Sequence, residues 1–193
     1  MHTSPLGVIF AYALATGLLM IDYPIIARIS QLNMRGMSGD KEMRQITATL
    51  AITGLLAGTA AKLVSGLALP GNAWAWLLIG ILVMCGGAVL RYWAIVTLGR
   101  FFRFEVMVQD EHKVVTGGPY RFVRHPSYTG ILLIQLGLGI ALGNFLSIAI
   151  CMSVPVLGFL PRIQHEETAL EDGLGAEYRT YAASTKRLIP GLW

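Results

Sequence analysis

The chain has 193 residues, of which 54% are hydrophobic and only 13% charged, and its mean hydropathy is +0.60. A soluble domain carries about 25% charged residues, so this composition excludes an ordinary water-soluble globule and indicates an integral membrane protein. The net charge of +4 falls in clusters beside apolar segments, where cations anchor a chain at a lipid surface; it gives no ground for a nucleic-acid partner.

The apolar residues fall into blocks at 6–21, 46–69, 74–98, 128–142 and 145–160. With their flanks, the first three reach the roughly 20 residues that a helix needs to cross a bilayer. The last two hold roughly 15 residues each, about 23 Å of helix. Only Gly143-Asn144 separates them, so they are expected to form a tight helical hairpin, fully spanning or partly re-entrant. Continuous apolar blocks, rather than alternating polar and apolar residues, exclude a porin-type barrel. The expected fold is therefore all-α, with about five transmembrane helices.

In the first block, Ala13-Leu14-Ala15 is spaced like a signal-cleavage site. No positively charged region precedes it and the apolar run continues past it, so the segment is kept as a helix. The connection after it carries Arg28, Arg35, Lys41 and Arg44. Gly54 and Gly58 form a small-xxx-small pair in the second block, and Gly86-Gly87 is a similar packing signal in the third. Asp22, Lys62 and Arg91 are charges within or beside apolar blocks, where burial without a partner costs several kcal/mol. Lys62, near a helix end, is expected to snorkel; Asp22 and Arg91, at similar depth, are a candidate ion pair. Cys85 and Cys151 lie inside apolar blocks, read as small core residues with no metal motif around them.

The character changes at about residue 100, dividing the chain into a lipid-adapted scaffold, 1–99, and a polar functional region, 100–193. Arg100, Arg103, Lys113, Arg121 and Arg124 precede the hairpin, and Arg162, Arg179, Lys186 and Arg187 follow it. The N-terminus and the connections 70–72 and 143–144 hold no cation. Because basic residues accumulate in cytoplasmic loops, the N-terminus is expected outside and the long polar segments in the cytoplasm.

Gly117-Gly118-Pro119 allows backbone geometry closed to other residues, suited either to a close approach to a ligand or to a plain surface turn. In His125-Pro126, the proline suits a first helical turn and holds its predecessor extended, aiming His125 from the cap of the fourth helix. Arg162 and Glu166, four residues apart, share a helix face, and Glu167 points elsewhere. They form either an exposed ion pair below a membrane helix or a working pair. In the second case a guanidinium clamps a substrate carboxylate and a carboxylate binds amine or hydroxyl groups. Leu170, Leu174, Tyr178 and Tyr181 continue an apolar stripe, as in an amphipathic tail helix lying over the site. The closing residues 188–193 read as an interfacial anchor.

The combination Gly118-x-Tyr120-x3-Arg124-His125-Pro126-x-Tyr128-x-Gly130, then Arg162-x3-Glu166-Glu167-x2-Leu170, then Gly175-x2-Tyr178-x2-Tyr181 and Arg187-x2-Pro190 resembles the isoprenylcysteine carboxyl methyltransferase family. The likeness covers residues 100–193 and is to a compact, prokaryotic-type member. It implies a membrane methyltransferase with S-adenosylmethionine as methyl donor. The acceptor would be the carboxylate of a lipophilic prenylated cysteine, and membrane lipids the only other partners. Carried over by position, the resemblance implies that the donor is held in a cytoplasmic cofactor-binding cap. Its residues would be His112, Lys113, Val114, Val115, Gly118, Tyr120, His125, Pro126, Ser127, Tyr128 and Glu166. Arg162, as a catalytic and substrate-binding residue, would face the acceptor carboxylate, and Glu167, the second catalytic candidate, would support the same pocket. No metal is implied, and a monomer is expected. No glycine-rich dinucleotide fingerprint is present.

Two other enzyme classes fit parts of the pattern. A phospholipid or small thiol or amine methyltransferase would keep the donor and change the acceptor. A sterol-reductase-like enzyme would use NADPH, but would need further cations and helices. A helical scaffold or transporter component would bind no methyl donor.

Overall fold

The computed structural model describes residues 5–20, 39–101 and 114–191. These form α1 (Pro5–Met20), α2 (Gly39–Leu63), α3 (Ala73–Leu98), α4 (Pro126–Ala141), α5 (Phe145–Leu174) and α6 (Ala176–Ser184), with short 3-10 turns between some of them. Three stretches are long and apolar enough to cross a membrane: Arg44–Leu63 within α2, the whole of α3, and α5. At 16 residues each, α1 and α4 are shorter, about 24 Å.

Two boundaries differ from those read in the sequence. The second apolar block was expected to continue as helix to residue 69, but α2 ends at Leu63, where Val64 leaves helical geometry and Ser65–Leu67 tightens into a 3-10 turn. The second hairpin arm was expected to stop near residue 160 and give way to a separate amphipathic tail. Instead α5 runs for 30 residues through Pro155 and Pro161. Its polar half is rich in Glu, Gln, Ala and Leu, which sustain a helix outside lipid. The break comes at Gly175, whose φ of +57° suits glycine alone. Arg162, Glu166 and Glu167 therefore ride on a rigid continuation of the hairpin, and only α6 is a separate tail helix.

Asn72 and Asn144 cap α3 and α5 through their side-chain oxygens, Asn144 accepting from the amides of Leu146 and Ser147. Asn144 also donates through Nδ2 to the Val64 carbonyl at 2.8 Å, and the Leu69 amide donates to the Gly143 carbonyl at 2.8 Å. The two cation-free connections are thus stitched together at one end of the bundle.

The most extensive helix contact joins α3 to α4. Gly80 and Gly87 on one helix meet Gly137 and Gly130 on the other, matched by the seven-residue spacing. A Cβ on Gly87 would lie 2.6 Å from the Gly130 carbonyl oxygen, and one on Gly130 would lie 2.7 Å from that of Gly87. Gly86 faces open space, so only the second glycine of the expected Gly86-Gly87 signal packs. Tyr12 of α1 fills the Gly54/Gly58 face and donates to the Gly54 carbonyl at 2.6 Å.

A core of small and branched residues joins α1 to α5: Ala11, Ala15, Ala57, Met84, Ile134, Leu138 and Cys151. Cys85, read as a core residue, is exposed on α3 instead. A second cluster beneath the polar region contains Tyr128, Ile131, Leu132, Phe159, Ile163 and Leu188. Leu188 is therefore a core residue rather than part of an interfacial anchor. Leu192 and Trp193, from the same expected anchor, lie outside the described residues. Lys62 occupies the last turn of α2 and is exposed. Asp22 is outside the described residues.

Candidate functional site

The polar region assembles where the start of α4, the middle of α5 and the C-terminal tail converge. Pro126 takes the first helical position of α4, where its missing amide costs nothing, and His125 becomes the N-cap. Ser127 and Tyr128 follow in the first turn, buried against α3 and α5 respectively. Arg91 on α3 donates through Nη1 to Ser127 Oγ at 2.5 Å. This buried guanidinium, read from the sequence as one half of an ion pair, thus fastens α3 to the head of α4.

Tyr128 is the pivot of the first polar group. Its hydroxyl accepts from Arg162 Nε at 2.5 Å and donates to Glu166 Oε2 at 3.2 Å. Its ring packs 5.2 Å from the Phe159 ring and 5.8 Å from His125. The face shared by Arg162 and Glu166 is closed by this one phenol, and all three groups lie at the boundary between the apolar cluster and the polar loop.

Glu167 centres a second group. Its Oε1 accepts from Arg124 Nε at 2.8 Å and lies 3.2 Å from His125 Nε2; its Oε2 accepts from Arg187 Nε at 2.9 Å. The carboxylate in turn strengthens the hold of Arg187 on its proton. Arg124 reaches on through Nη1 to the carbonyls of Ala182 and Thr185. Backbone bonds complete the clamp: the Arg124 amide donates to the Lys186 carbonyl at 2.7 Å, and the His125 amide to that of Arg187 at 3.0 Å. Thr129 Oγ1 donates to the Leu188 carbonyl at 2.9 Å. The tail thus pairs with the loop as a short extended strap, joined by a parallel bridge between Val123 and Lys186.

The loop before α4 rests on α3. Gly118 has φ +56°, and a Cβ there would meet Thr97 Oγ1 at 2.8 Å, so glycine is required both by conformation and by contact. Tyr120 is buried in the next turn, and burial raises its phenol well above the usual range. The Tyr181 hydroxyl of α6 donates to the Tyr120 carbonyl at 2.7 Å. Burial pushes that phenol up to about 12, so both tyrosines keep their protons at neutral pH.

Of the residues selected from sequence, Tyr120, His125, Pro126, Ser127, Tyr128, Arg162, Glu166 and Glu167 converge, and Gly118 seats the loop that carries Tyr120 and leads to His125. Val114 and Val115 lead into that loop, half-buried; His112 and Lys113 lie outside the described residues. His125 is 4% exposed and turns its ring toward Glu167. Sequence reasoning gave no role to Arg91 at the head of α4. Nor did it see the strap formed by Thr185–Leu188, or the polar ends of Tyr178 and Tyr181, which it read only as an apolar stripe. Among the described residues, no group of three or more His, Cys, Asp or Glu converges as metal ligands would.

Residues 78–172 match the model of the isoprenylcysteine carboxyl methyltransferase family. The chain is 36% identical over 114 residues to a probable protein-S-isoprenylcysteine O-methyltransferase of Oryza sativa subsp. indica, covering 58% of this chain and 60% of that protein. It is 38% identical over 114 residues to protein-S-isoprenylcysteine O-methyltransferase B of Arabidopsis thaliana, covering 58% and 57%. A Schizosaccharomyces pombe protein-S-isoprenylcysteine O-methyltransferase is 37% identical over 109 residues, covering 55% and 46%. Each match thus spans 60% or less of the relative's own length. The fold is similar to the solved structure of a eukaryotic intramembrane Ras methyltransferase of the same name as the family. That likeness has a TM-score of 0.73 at 25% identity, over 98% of this chain and 69% of that one.

Proposed function

We propose that the chain, whose residues 78–172 match the isoprenylcysteine carboxyl methyltransferase family, methylates the C-terminal carboxylate of a lipophilic isoprenylcysteine-type acceptor, with S-adenosylmethionine as donor. The observation that carries this reading is the contact chain from Arg162 through Tyr128 to Glu166. It puts a guanidinium and a carboxylate side by side above an apolar cluster, as two ligands of opposite charge and one greasy tail would require.

The residues present suit the donor. Glu166 offers a half-buried carboxylate to an ammonium or ribose hydroxyl, and the rings of Tyr120 and Tyr128 suit a cationic neighbour. We assign donor binding to these residues together with His112, Lys113, Val114, Val115, Gly118, His125, Pro126 and Ser127. Bound there, S-adenosylmethionine supplies a methyl group activated by its sulfonium. Arg162 orients the acceptor carboxylate, which is ionised at neutral pH from a reference pKa of about 3 to 4 and needs no general base. Holding the two reactants in line contributes several kcal/mol toward the barrier, on the order of what alignment alone supplies in intramolecular reactions. Because methyl transfer from a sulfonium to a carboxylate would cancel both charges, a dry site around Arg162 would favour it. Glu167 serves by fixing Arg124, His125 and the tail around the pocket.

The prenyl chain enters sideways from lipid, where each buried methylene contributes about 0.8 kcal/mol. The arrangement we propose has five membrane-inserted helices with the N-terminus outside and the polar cap in the cytoplasm. It is supported by the cation-free connections stitched at one end and the basic segments elsewhere. A monomer is favoured because Tyr12 of the same chain fills the Gly54/Gly58 face.

Arg162→Ala is expected to abolish carboxyl methylation of N-acetyl-S-farnesylcysteine while leaving donor affinity within about threefold, since a lost ion contact of 1.5–3 kcal/mol falls on the acceptor. Glu166→Ala is expected to weaken donor binding instead. Calorimetric donor titration beside a radiolabelled methyl assay separates the two; full turnover in either variant overturns the assignment. An amine or thiol acceptor methylated equally well without Arg162 would move the activity to that substrate class.

A further inference from the structure

α6 carries two buried tyrosines with different fates. The Tyr181 hydroxyl is spent on the Tyr120 carbonyl. The Tyr178 hydroxyl is buried and makes no hydrogen bond among the described residues, although the whole side chain is only 5% exposed. A buried hydroxyl left unmade costs about 1–3 kcal/mol, and native structures rarely keep one without a use. Its surroundings are not apolar. Burial, and then the charge of Glu167, raise the phenol above its usual range, with Arg124 and Glu166 also near enough to act on it. The Tyr181 ring lies 6.2 Å away, edge-on. Tyr178 therefore presents a proton-bearing oxygen beside both polar groups of the site, with no acceptor among the described residues.

We infer that the Tyr178 hydroxyl is a ligand-binding group that donates a hydrogen bond to a carboxylate brought in by a bound ligand. This rests on the methyltransferase reading above and extends it to a residue on α6. Two ligands of that reaction carry a carboxylate: the amino-acid end of the methyl donor and the prenylated cysteine acceptor. A phenol serves either one, because Glu166 and Glu167 already occupy the accepting side of the site and what Tyr178 lacks, among the described residues, is an acceptor. Arg124, beside it, offsets the repulsion between an incoming anion and those two carboxylates.

The test uses Tyr178→Phe in the full chain, which removes one oxygen and keeps the ring. Free of ligand, the variant is expected to melt at the same temperature as the parent or higher, because an unsatisfied hydroxyl has been deleted. A clear fall in melting temperature would mean that the hydroxyl serves the fold, and would overturn the inference. Titrations with S-adenosylmethionine, S-adenosylhomocysteine and decarboxylated S-adenosylmethionine, together with the KM for N-acetyl-S-farnesylcysteine, then identify the source of the carboxylate. If it is the donor's, both carboxylate-bearing nucleosides bind about 10- to 100-fold more weakly to the variant and the decarboxylated one binds equally to both proteins. If it is the acceptor's, donor affinities stay put and KM rises by a similar factor. Unchanged values in every arm, or equal losses for the decarboxylated ligand, overturn the inference. Parent protein that binds no S-adenosylmethionine would instead sink the functional reading on which it rests.

Discussion

The two neighbouring glutamates on α5 do different work although they differ by one position. Among the described residues Glu166 meets the Tyr128 phenol, whereas Glu167 is gripped by Arg124, His125 and Arg187 and is only 14% exposed. Removing one partner of a buried charge group leaves the others uncompensated, at a cost of about 3 kcal/mol or more. Glu167→Gln is therefore expected to lower the thermal unfolding midpoint in detergent strongly, and Glu166→Gln to lower it little. Equal shifts in the two variants would contradict the clamp. The sequence made Arg162 and Glu166 legible because they are four residues apart on one helix, and His125 because proline follows it. It left the role of Glu167 obscure, since its partners at 124, 125 and 187 meet only when the loop and tail fold onto α5. Arg91 was visible as a costly charge, but its contact with Ser127 spans 36 positions.

At the scale of the helices, close approach of α3 and α4 decides where the site stands, because it sets Arg91 against the head of α4. Gly137→Ala would force a methyl group to within 2.7 Å of the Met84 backbone and is expected to cost about 1–3 kcal/mol, as overpacking does. Gly86→Ala, one residue from the packed Gly87 and facing open space, is expected to be neutral or to stabilise by about 0.4–1 kcal/mol. Thermal unfolding of the pair checks both signs at once. The apolar blocks announced the helices well, and the turn at Gly143-Asn144 falls where glycine and an Asn cap suggest. The end of α5 was missed because hydropathy reports where lipid ends, while the backbone continues helical through polar residues until Gly175. The sequence also points to glycines without saying which face they share; Gly80 and Gly137 gain meaning only as partners.

Across the whole molecule, a lipid-adapted bundle supports a polar cap made from three segments remote in sequence: the loop 114–125, the far half of α5, and the strap 185–188. The apolar cluster of Tyr128, Phe159, Ile163 and Leu188 lies directly below this cap, so a ligand with a charged head and a hydrocarbon tail meets suitable surroundings at both ends. Composition revealed the membrane setting and motif order pointed to the family. The strap stayed hidden because its pairing is by backbone carbonyls, which any side chain can accompany. Purified protein supplied with methyl-labelled S-adenosylmethionine and N-acetyl-S-farnesylcysteine provides the most direct measurement. Label is expected in a product that releases volatile methanol on treatment with base, as a carboxyl methyl ester does, and none is expected when the acceptor carboxylate is replaced by a carboxamide. Label that is stable to base, or equal labelling of the carboxamide, would contradict carboxyl methylation at this site.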